Sequence, residues 1–179
     1  MPGIPSQISF GKKRFTLLSS FCLAMLILVS SCHLYRFNDR AIPPDVKSIK
    51  INLIENRATL VNPLLSPRLT ERLTQKIISQ TKLSTTNNDN ADWIFTGEIR
   101  NYAVSTSGIS NQEVSSNRLT VSVHIEVYKQ KEDKKVEYDV SRNFEFSANL
   151  SLQQAEASLA DEMVRSLTDD IFNRIFSNW

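Results

Sequence analysis

Few side chains in this sequence could do chemistry. The chain holds two histidines, two cysteines and four glycines, and it lacks the Gly-rich phosphate loop, the Gly-x-Ser-x-Gly elbow and the His-Glu-x-x-His zinc motif. His124 is the one plausible general base, because His33 lies in a tether outside the predicted domain. Strand periodicity puts His124 on a polar face, where a solvated or partner-facing histidine is the commoner case. We therefore expect a protein that is not an enzyme and has no cofactor or metal.

Cys32 follows a segment with the features of an export signal. Basic residues at 12–14 precede a mostly apolar run over 15–29, and two serines separate that run from Cys32. The run is shorter than the ~20 apolar residues that a helix needs to cross a membrane. This pattern predicts a cleaved signal peptide in preference to a permanent transmembrane helix.

The junction Leu28-Val29-Ser30-Ser31-Cys32 resembles the lipobox of bacterial lipoproteins. The resemblance implies diacylglycerol transfer to Cys32, cleavage before it and N-acylation of the new terminus, and the alternative is an ordinary signal followed by a free cysteine. Two or three acyl chains hold a protein stably on a membrane, whereas one does so only marginally. We expect residues 1–31 to be the signal peptide and residues 32–45 a lipidated tether.

Charge and size limit the remaining possibilities. The chain has 21 basic and 19 acidic side chains, and cleavage would remove three basic residues at 12–14 and no acidic one. A nearly neutral mature chain offers no electrostatic case for nucleic acid. Its length favours a single domain over residues 46–179.

The first half of this domain has the pattern of a strand followed by a helix. Apolar and polar residues alternate over 46–54, with Ile49, Ile51 and Leu53 on one side. Ser66 before Pro67 matches a helix N-cap followed by proline at the first helical position, and Asn62 before Pro63 is an alternative start. An apolar stripe then predicts one amphipathic helix to about Lys82, formed by Leu69, Leu73 and Ile77.

Three more strands are predicted after this helix. The first has Trp93, Phe95, Gly97 and Ile99 on one parity. The other two show longer alternations, formed by Leu119, Val121, Val123, Ile125 and Val127 and by Val136, Tyr138, Val140, Phe144 and Phe146. We expect 105–117 to be a long polar loop and 129–135 a charged hairpin turn.

A long helix should end the chain. Ser151 and Gln154 form a capping-box pattern, and an apolar stripe with a step of four follows it, formed by Leu159, Met163, Leu167, Ile171 and Ile175. The order β-α-β-β-β-α predicts an α+β fold with a four-stranded, mainly antiparallel sheet and both helices packed on one face.

The other face of that sheet should then be the interaction surface. It would display basic, aromatic and polar side chains suited to a wet interface or an anionic ligand. The alternative is that this face only contacts water. The candidate residues are Arg100, Tyr102, Arg118 and His124.

Several stretches of the chain resemble the LptE family of lipopolysaccharide-assembly lipoproteins in its Bacteroidota form. Besides the lipobox, they are Ile42-Pro43-Pro44-Asp45-Val46-Lys47, Asn62-Pro63-Leu64-Leu65-Ser66, Asn117-Arg118-Leu119-Thr120, Asp170-Ile171-Phe172-Asn173 and Asn178-Trp179.

The resemblance implies a lipoprotein in the inner leaflet of the outer membrane that faces the periplasm. It would bind an LptD-like β-barrel, support assembly of that barrel and aid lipopolysaccharide transport to the outer leaflet. Lipopolysaccharide is a further expected contact on basic residues, for which no motif fixes positions in this chain, and our candidates are Arg100 and Arg118. No acidic run, the surface-export feature of many lipoproteins in these bacteria, follows Cys32. The alternatives are a lipoprotein subunit or pilot of another envelope transport or secretion machine, and a lipid-anchored enzyme with an unrecognised site.

Overall fold

The computed structural model describes residues 42–110 and 113–177. Two α-helices are present there, α1 (Leu65–Gln80) and α2 (Leu152–Phe176). The strands are β1 (Ser48–Ile51), β2 (Glu55–Asn56), β3 (Ser84–Thr85), β4 (Trp93–Ser110), β5 (Glu113–Lys129) and β6 (Lys134–Ser147). This arrangement confirms the α+β class. The predicted signal peptide, residues 32–41 of the predicted tether and Asn178-Trp179 lie outside the described residues.

The strands form one mixed sheet in the order β3-β1-β4-β5-β6, and β2 pairs with β4 beyond the end of β1. The long strands β4, β5 and β6 are antiparallel, whereas β1 and β2 run parallel to β4. The sheet thus has six strands among the described residues, where we predicted four. The two additional strands are two residues long, too short for an alternating pattern to mark them.

The predicted strand over 46–54 is shorter in the structure, because β1 ends at Ile51 and β2 begins only at Glu55. Ile49 is buried, but Leu53 is 58% exposed and Ile54 is buried in its place. The Ile54 backbone N–H donates a hydrogen bond to Thr70 Oγ1 on α1 at 3.0 Å, so the chain here meets the helix and not a neighbouring strand. Because the buried side of the chain changes from odd-numbered to even-numbered residues here, β1 and β2 are separate strands.

Each helix begins with side-chain hydrogen bonds. At α1, Asn62 Oδ1 accepts from the backbone N–H groups of Leu64 and Leu65 at 3.0 and 3.2 Å, in the turn that precedes the first helical residue, Leu65. Ser66 is not the cap, because its hydroxyl donates to the carbonyl of Ile54. At α2 the predicted capping box on Ser151 is confirmed.

Both helices pack on one face of the sheet, as predicted. The odd-numbered residues of β5 from Leu119 to Val127 are buried against them. An aromatic cluster closes the end of the core where α2 finishes, and its Phe172 and Phe176 rings lie 4.8 Å apart. No helix among residues 42–110 and 113–177 is long and apolar enough to cross a membrane.

The predicted loop at 105–117 is wrong, because these residues extend the β4–β5 hairpin. Backbone pairing continues outward to Ser110 and Glu113. Residues 103–106 are all exposed, so neither strand has, in this segment, the alternation of apolar and polar residues by which a strand is recognised in a sequence. Backbone hydrogen bonds maintain the pairing there, with a hydrogen bond between the hydroxyls of Ser107 and Ser116 at 3.0 Å.

Candidate partner interface

The sheet surface that faces away from the helices, here called the outer face, is polar along its length. Cross-strand hydrogen bonds connect its β5 and β6 side chains, such as Thr120 to Asn143 at 2.9 Å and Ser122 to Ser141 at 2.9 Å. Its polar members on the three long strands include Thr96, Glu98, Arg100, Arg118, Thr120, Ser122, His124, Glu126, Glu137, Asp139, Ser141, Asn143 and Glu145.

His124 lies on this face, as predicted, but its neighbours cover it. Its side chain is only 10% exposed, and Nδ1 lies 2.8 Å from Asp139 Oδ1. The strand register places Glu98 on its other side. Within the part of the chain that the structure describes, no group of three His, Cys, Asp or Glu residues could hold a metal ion. The geometry therefore makes His124 a bridge between β5 and β6.

Arg100 belongs to a cluster of alternating charges next to His124. Its Nε donates to Glu98 Oε1 at 2.5 Å, and Glu98 also lies 3.4 Å from Arg57 Nε. The hydrogen bond from Arg100, with the charges of Arg100 and Arg57, holds the pKa of Glu98 below its usual value. The side chain of Arg100 is nonetheless 51% exposed, so it can contact a partner.

Arg118 is a candidate whose guanidinium N–H donors are only partly paired with other side chains. One amino group donates to Glu145 Oε1 at 3.1 Å, and the side chain is 41% exposed. Its Nε is buried and has no hydrogen-bond partner among the described residues. A guanidinium has five N–H donors, so the exposed amino groups of Arg118 can contact a partner in addition to Glu145.

Tyr102 is not on the outer face, which corrects the prediction for this residue. It is 2% exposed and lies on the helix side, where its hydroxyl donates to Glu156 Oε1 at 2.7 Å. The cause is a β-bulge between Ile99 and Asn101, because an extra residue in one strand exchanges the two faces beyond it. Burial, then the hydrogen bond to Glu156, raises the pKa of Tyr102.

Sequence reasoning also missed the acidic partners of the candidate residues. Asp139 and Glu145 pair with His124 and Arg118 across strands, and such pairs depend on register. Glu98 pairs with Arg100 on the same strand. A signal for the bulge was present, since a large aromatic residue at 102 breaks the parity set by Ile99. Cys32, the predicted lipidation site, lies outside the described residues.

Comparison with solved structures finds distant lipoproteins. A minor lipoprotein from Acinetobacter baumannii is 14% identical, with 74% of this chain and 94% of that chain covered and a TM-score of 0.49. Lipoprotein B from Nitrosomonas europaea is 16% identical, with coverage of 73% and 80% and a TM-score of 0.44. Lipoprotein GNA1162 from Neisseria meningitidis is 12% identical, with coverage of 69% and 99% and a TM-score of 0.39. At these values the similarities support no statement about function.

No curated protein matches the sequence. The family model described as LptE, lipopolysaccharide-assembly, matches residues 46–175. That range runs from just before β1 to the last turn of α2 and includes every strand described above. The chain therefore belongs to the LptE lipopolysaccharide-assembly family.

Proposed function

We propose that this protein is a non-enzymatic outer-membrane lipoprotein that binds an LptD-like β-barrel, supports its assembly and so aids lipopolysaccharide transport to the outer leaflet. The observation that carries the proposal is the family match over residues 46–175. Cys32 would anchor the protein in the inner leaflet, with the domain facing the periplasm. No cofactor enters this function.

The outer face is the surface that we assign to the barrel. The helices cover only the opposite side of the sheet, so the polar face remains available. Arg100 and Arg118 are partly exposed there, and arginine is enriched among the residues that dominate binding energy. Confinement of both partners to one membrane raises their effective concentration, so a moderate affinity suffices.

Site-specific photocrosslinking in living cells tests this surface. A photoreactive residue at Thr120, Ser141 or Asn143 would sample the outer face without removing a core side chain. Matched probes at Gln75 and Glu162 would sample exposed positions on α1 and α2. We expect crosslinks to an LptD-like barrel from the first set only. Capture of the barrel from the helix positions alone would overturn the assigned face.

Charge reversal tests the two arginines. Arg100→Glu with Arg118→Glu should reduce barrel recovery in a detergent pull-down and raise outer-membrane permeability, while circular dichroism of the purified variant stays unchanged. Arg174→Glu is the matched control, since Arg174 is exposed and belongs to α2, which packs on the opposite side of the sheet. Recovery of a different envelope complex with the wild-type protein would favour the alternative, a subunit or pilot of another transport or secretion machine.

A further inference from the structure

The two edges of the sheet differ greatly in length. β3, at one edge, is two residues long, whereas β6, at the other edge, is 14 residues long. β6 pairs with β5 without a register shift from Lys134 to Ser147, and no further strand among the described residues pairs with it. Every second residue of an edge strand turns its backbone N–H and C=O groups outward, where they can pair with another chain. β6 is therefore the edge that can accept an additional strand.

One part of this edge is blocked and another part is open. Arg142 lies directly opposite the buried Val121, on the helix side of the sheet, and it donates to Asp170 on α2 at 2.7 Å. A charged side chain that points inward is one of the features that keep an edge strand from pairing with another chain. Residues 136–141 of β6 include no such inward charge, no proline and no bulge. We call this segment the open β6 edge.

A groove of about 870 Å³ follows the open β6 edge. It contacts all five residues from Glu137 to Ser141. Successive side chains of a strand point to opposite faces, so a groove that contacts five residues in a row follows the backbone itself. Five residues at ~3.3 Å each span roughly 16 Å, the length of a short extended segment. The other lining residues, in the last turns of α2 and just beyond it, are Asp170, Asn173, Arg174 and Ser177.

The charges on the outer-face side of this edge favour a basic occupant. Glu137 lies directly opposite Glu126 on β5, and like charges at opposite positions are unfavourable. The neighbouring Lys135 pairs with Glu126 at 2.9 Å, so Glu137 lacks an ion pair of its own within the part of the chain that the structure describes. Asp139, two residues further along the same side, is 77% exposed although it contacts His124. A cation on an added strand would lie beside both β6 carboxylates.

A second copy of this chain fits the open β6 edge less well. Opposite residues of paired strands lie on the same face of the sheet, so two antiparallel β6 strands meet in registers that place one residue opposite itself. The registers that use most of the open β6 edge are centred on residue 138 or 139. The first places Glu137 opposite Asp139 and the second places Asp139 opposite itself, and like charges destabilise both. A basic segment of another protein meets no such repulsion.

We propose that the open β6 edge binds an extended segment of a partner protein as an additional strand, with lysine or arginine side chains of that segment beside Glu137 and Asp139. Main-chain hydrogen bonds would supply affinity, and the alternation of side chains between the acidic outer-face side and the α2 side would supply specificity. The inference goes beyond the proposed barrel contact and does not require it, because it depends on the backbone edge and its carboxylates and not on Arg100 or Arg118.

Hydrogen–deuterium exchange of the full lipidated protein in phosphatidylcholine nanodiscs tests this proposal. The probe is the acetylated, amidated peptide Val-Lys-Thr-Lys-Val-Lys-Thr, which has its lysines on one side when extended. We expect exchange of alternate backbone amides over 136–141 to slow by roughly tenfold or more, since hydrogen bonds to the added strand would protect them. The matched peptide Val-Thr-Val-Thr-Lys-Lys-Lys has the same composition and charge but no alternation, so it should protect these amides far less.

Two variants with matched controls locate the binding site. Glu137→Lys should weaken binding of the alternating lysine peptide about tenfold, a loss of about 1.4 kcal/mol, and should bind the acidic peptide Val-Glu-Thr-Glu-Val-Glu-Thr better than the wild type does. Glu71→Lys makes the same change at an exposed position of α1 and should bind as the wild type does. Asn173→Trp should fill the groove and abolish protection of β6, whereas Gln75→Trp, at an exposed position of α1, should not.

Equal protection by the two lysine peptides would overturn the proposal, because it would mean that charge alone attracts them. Unchanged exchange on β6 with the alternating peptide at millimolar concentration, or slowing confined to other elements, would overturn it as well. Exchange on β6 that slowed with protein concentration in the absence of peptide would make a second copy the occupant. Circular dichroism should be unchanged in all four variants. If Asn173→Trp lost folded structure, the reversed peptide preference of Glu137→Lys would still decide the question.

Discussion

At the scale of single residues, buried polar contacts determine which side chains stabilise the fold and which remain free to bind. Tyr102 is a stabilising contact, because its hydroxyl joins the sheet to α2 through Glu156 and also accepts a hydrogen bond from Asn62 Nδ2 at 3.4 Å. Arg118 is the opposite case, with an exposed guanidinium that its one acidic partner satisfies only in part. Both residues were predicted to contact a partner, but Tyr102 is buried and only Arg118 is exposed enough to do so.

Tyr102→Phe should lower the free energy of unfolding by about 1.5 to 3 kcal/mol, the usual value for a hydrogen bond to a charged group. Urea unfolding followed by circular dichroism measures this. Tyr128→Phe is the matched control, because the Tyr128 hydroxyl donates to Asp133 at 2.7 Å on the surface, where its loss should cost little. If Tyr102→Phe left the stability unchanged but abolished binding of the barrel, Tyr102 would belong to the interface after all.

Asp92 predicts how stability depends on pH. Its carboxylate accepts hydrogen bonds from the backbone N–H groups of Lys47 and Ser48, each at 2.9 Å, and these bonds lower the pKa of Asp92 well below its usual value. A carboxyl with a depressed folded-state pKa stabilises the fold above its unfolded pKa of ~3.9, and this contribution is lost as the pH falls through the folded value.

Asp92→Asn should therefore be less stable than the wild type by about 1 to 3 kcal/mol at pH 7. The difference between the two proteins should narrow at pH 3, where the wild type has begun to lose the contribution of the carboxylate. Urea unfolding of both proteins at the two pH values checks this. A difference that stayed constant between pH 7 and pH 3 would contradict the assigned role of the charge.

At the scale of elements, α2 contributes most to the core. Leu167 is fully buried, and so are Met163, Ile171 and Phe172 around it. The ends of the predicted stripe are less covered, because Leu159 and Ile175 are only partly buried. The centre of the helix should therefore determine the stability of the domain.

Leu167→Ala should cost about 2 to 5 kcal/mol through lost burial and the cavity that it leaves. Leu53→Ala is the same chemical change at a site that is 58% exposed, and it should stay within about 0.5 kcal/mol of the wild type. Thermal and urea unfolding of the two variants measure the contrast. Equal losses in both would mean that Leu53 is covered and that β1 continues through it.

At the scale of the whole molecule, the end of the tether is attached to the domain at one corner of the sheet. Lys131, in the β5–β6 turn, forms ion pairs with Asp92 at 3.1 Å and with Asp45 at 3.4 Å. The long β4–β5 hairpin extends from the opposite end of the same strands. Asp45, the end of the predicted tether, therefore lies far from the hairpin tip.

Cys32→Ala should abolish stable membrane attachment of the processed protein. The variant would either persist as an uncleaved precursor held by its signal segment or appear as a released, soluble form. Membrane fractionation distinguishes these from the wild type, and mass spectrometry of the wild-type terminus should show an acylated Cys32. An unmodified Cys32 at that terminus would refute the anchor.

The sequence by itself determined the features that depend on neighbours along the chain. The capping box at Ser151, the apolar stripe of α2 around Leu167 and the alternation of β5 from Leu119 were all predicted, because they arise from contacts within a few residues or from one repeated period. The stretches that resemble the LptE family belong with these features, and the match over residues 46–175 confirms the family.

Only the tertiary structure decided which side chains meet across elements. The bulge after Ile99 moved Tyr102 into the core, the register of three strands placed Glu98 and Asp139 beside His124, and the packing of the two helices paired Lys76 with Asp169. Each of these depends on summed contacts between distant segments, where a shift of one residue exchanges the faces of a strand. The periodicity of any one segment does not contain that information.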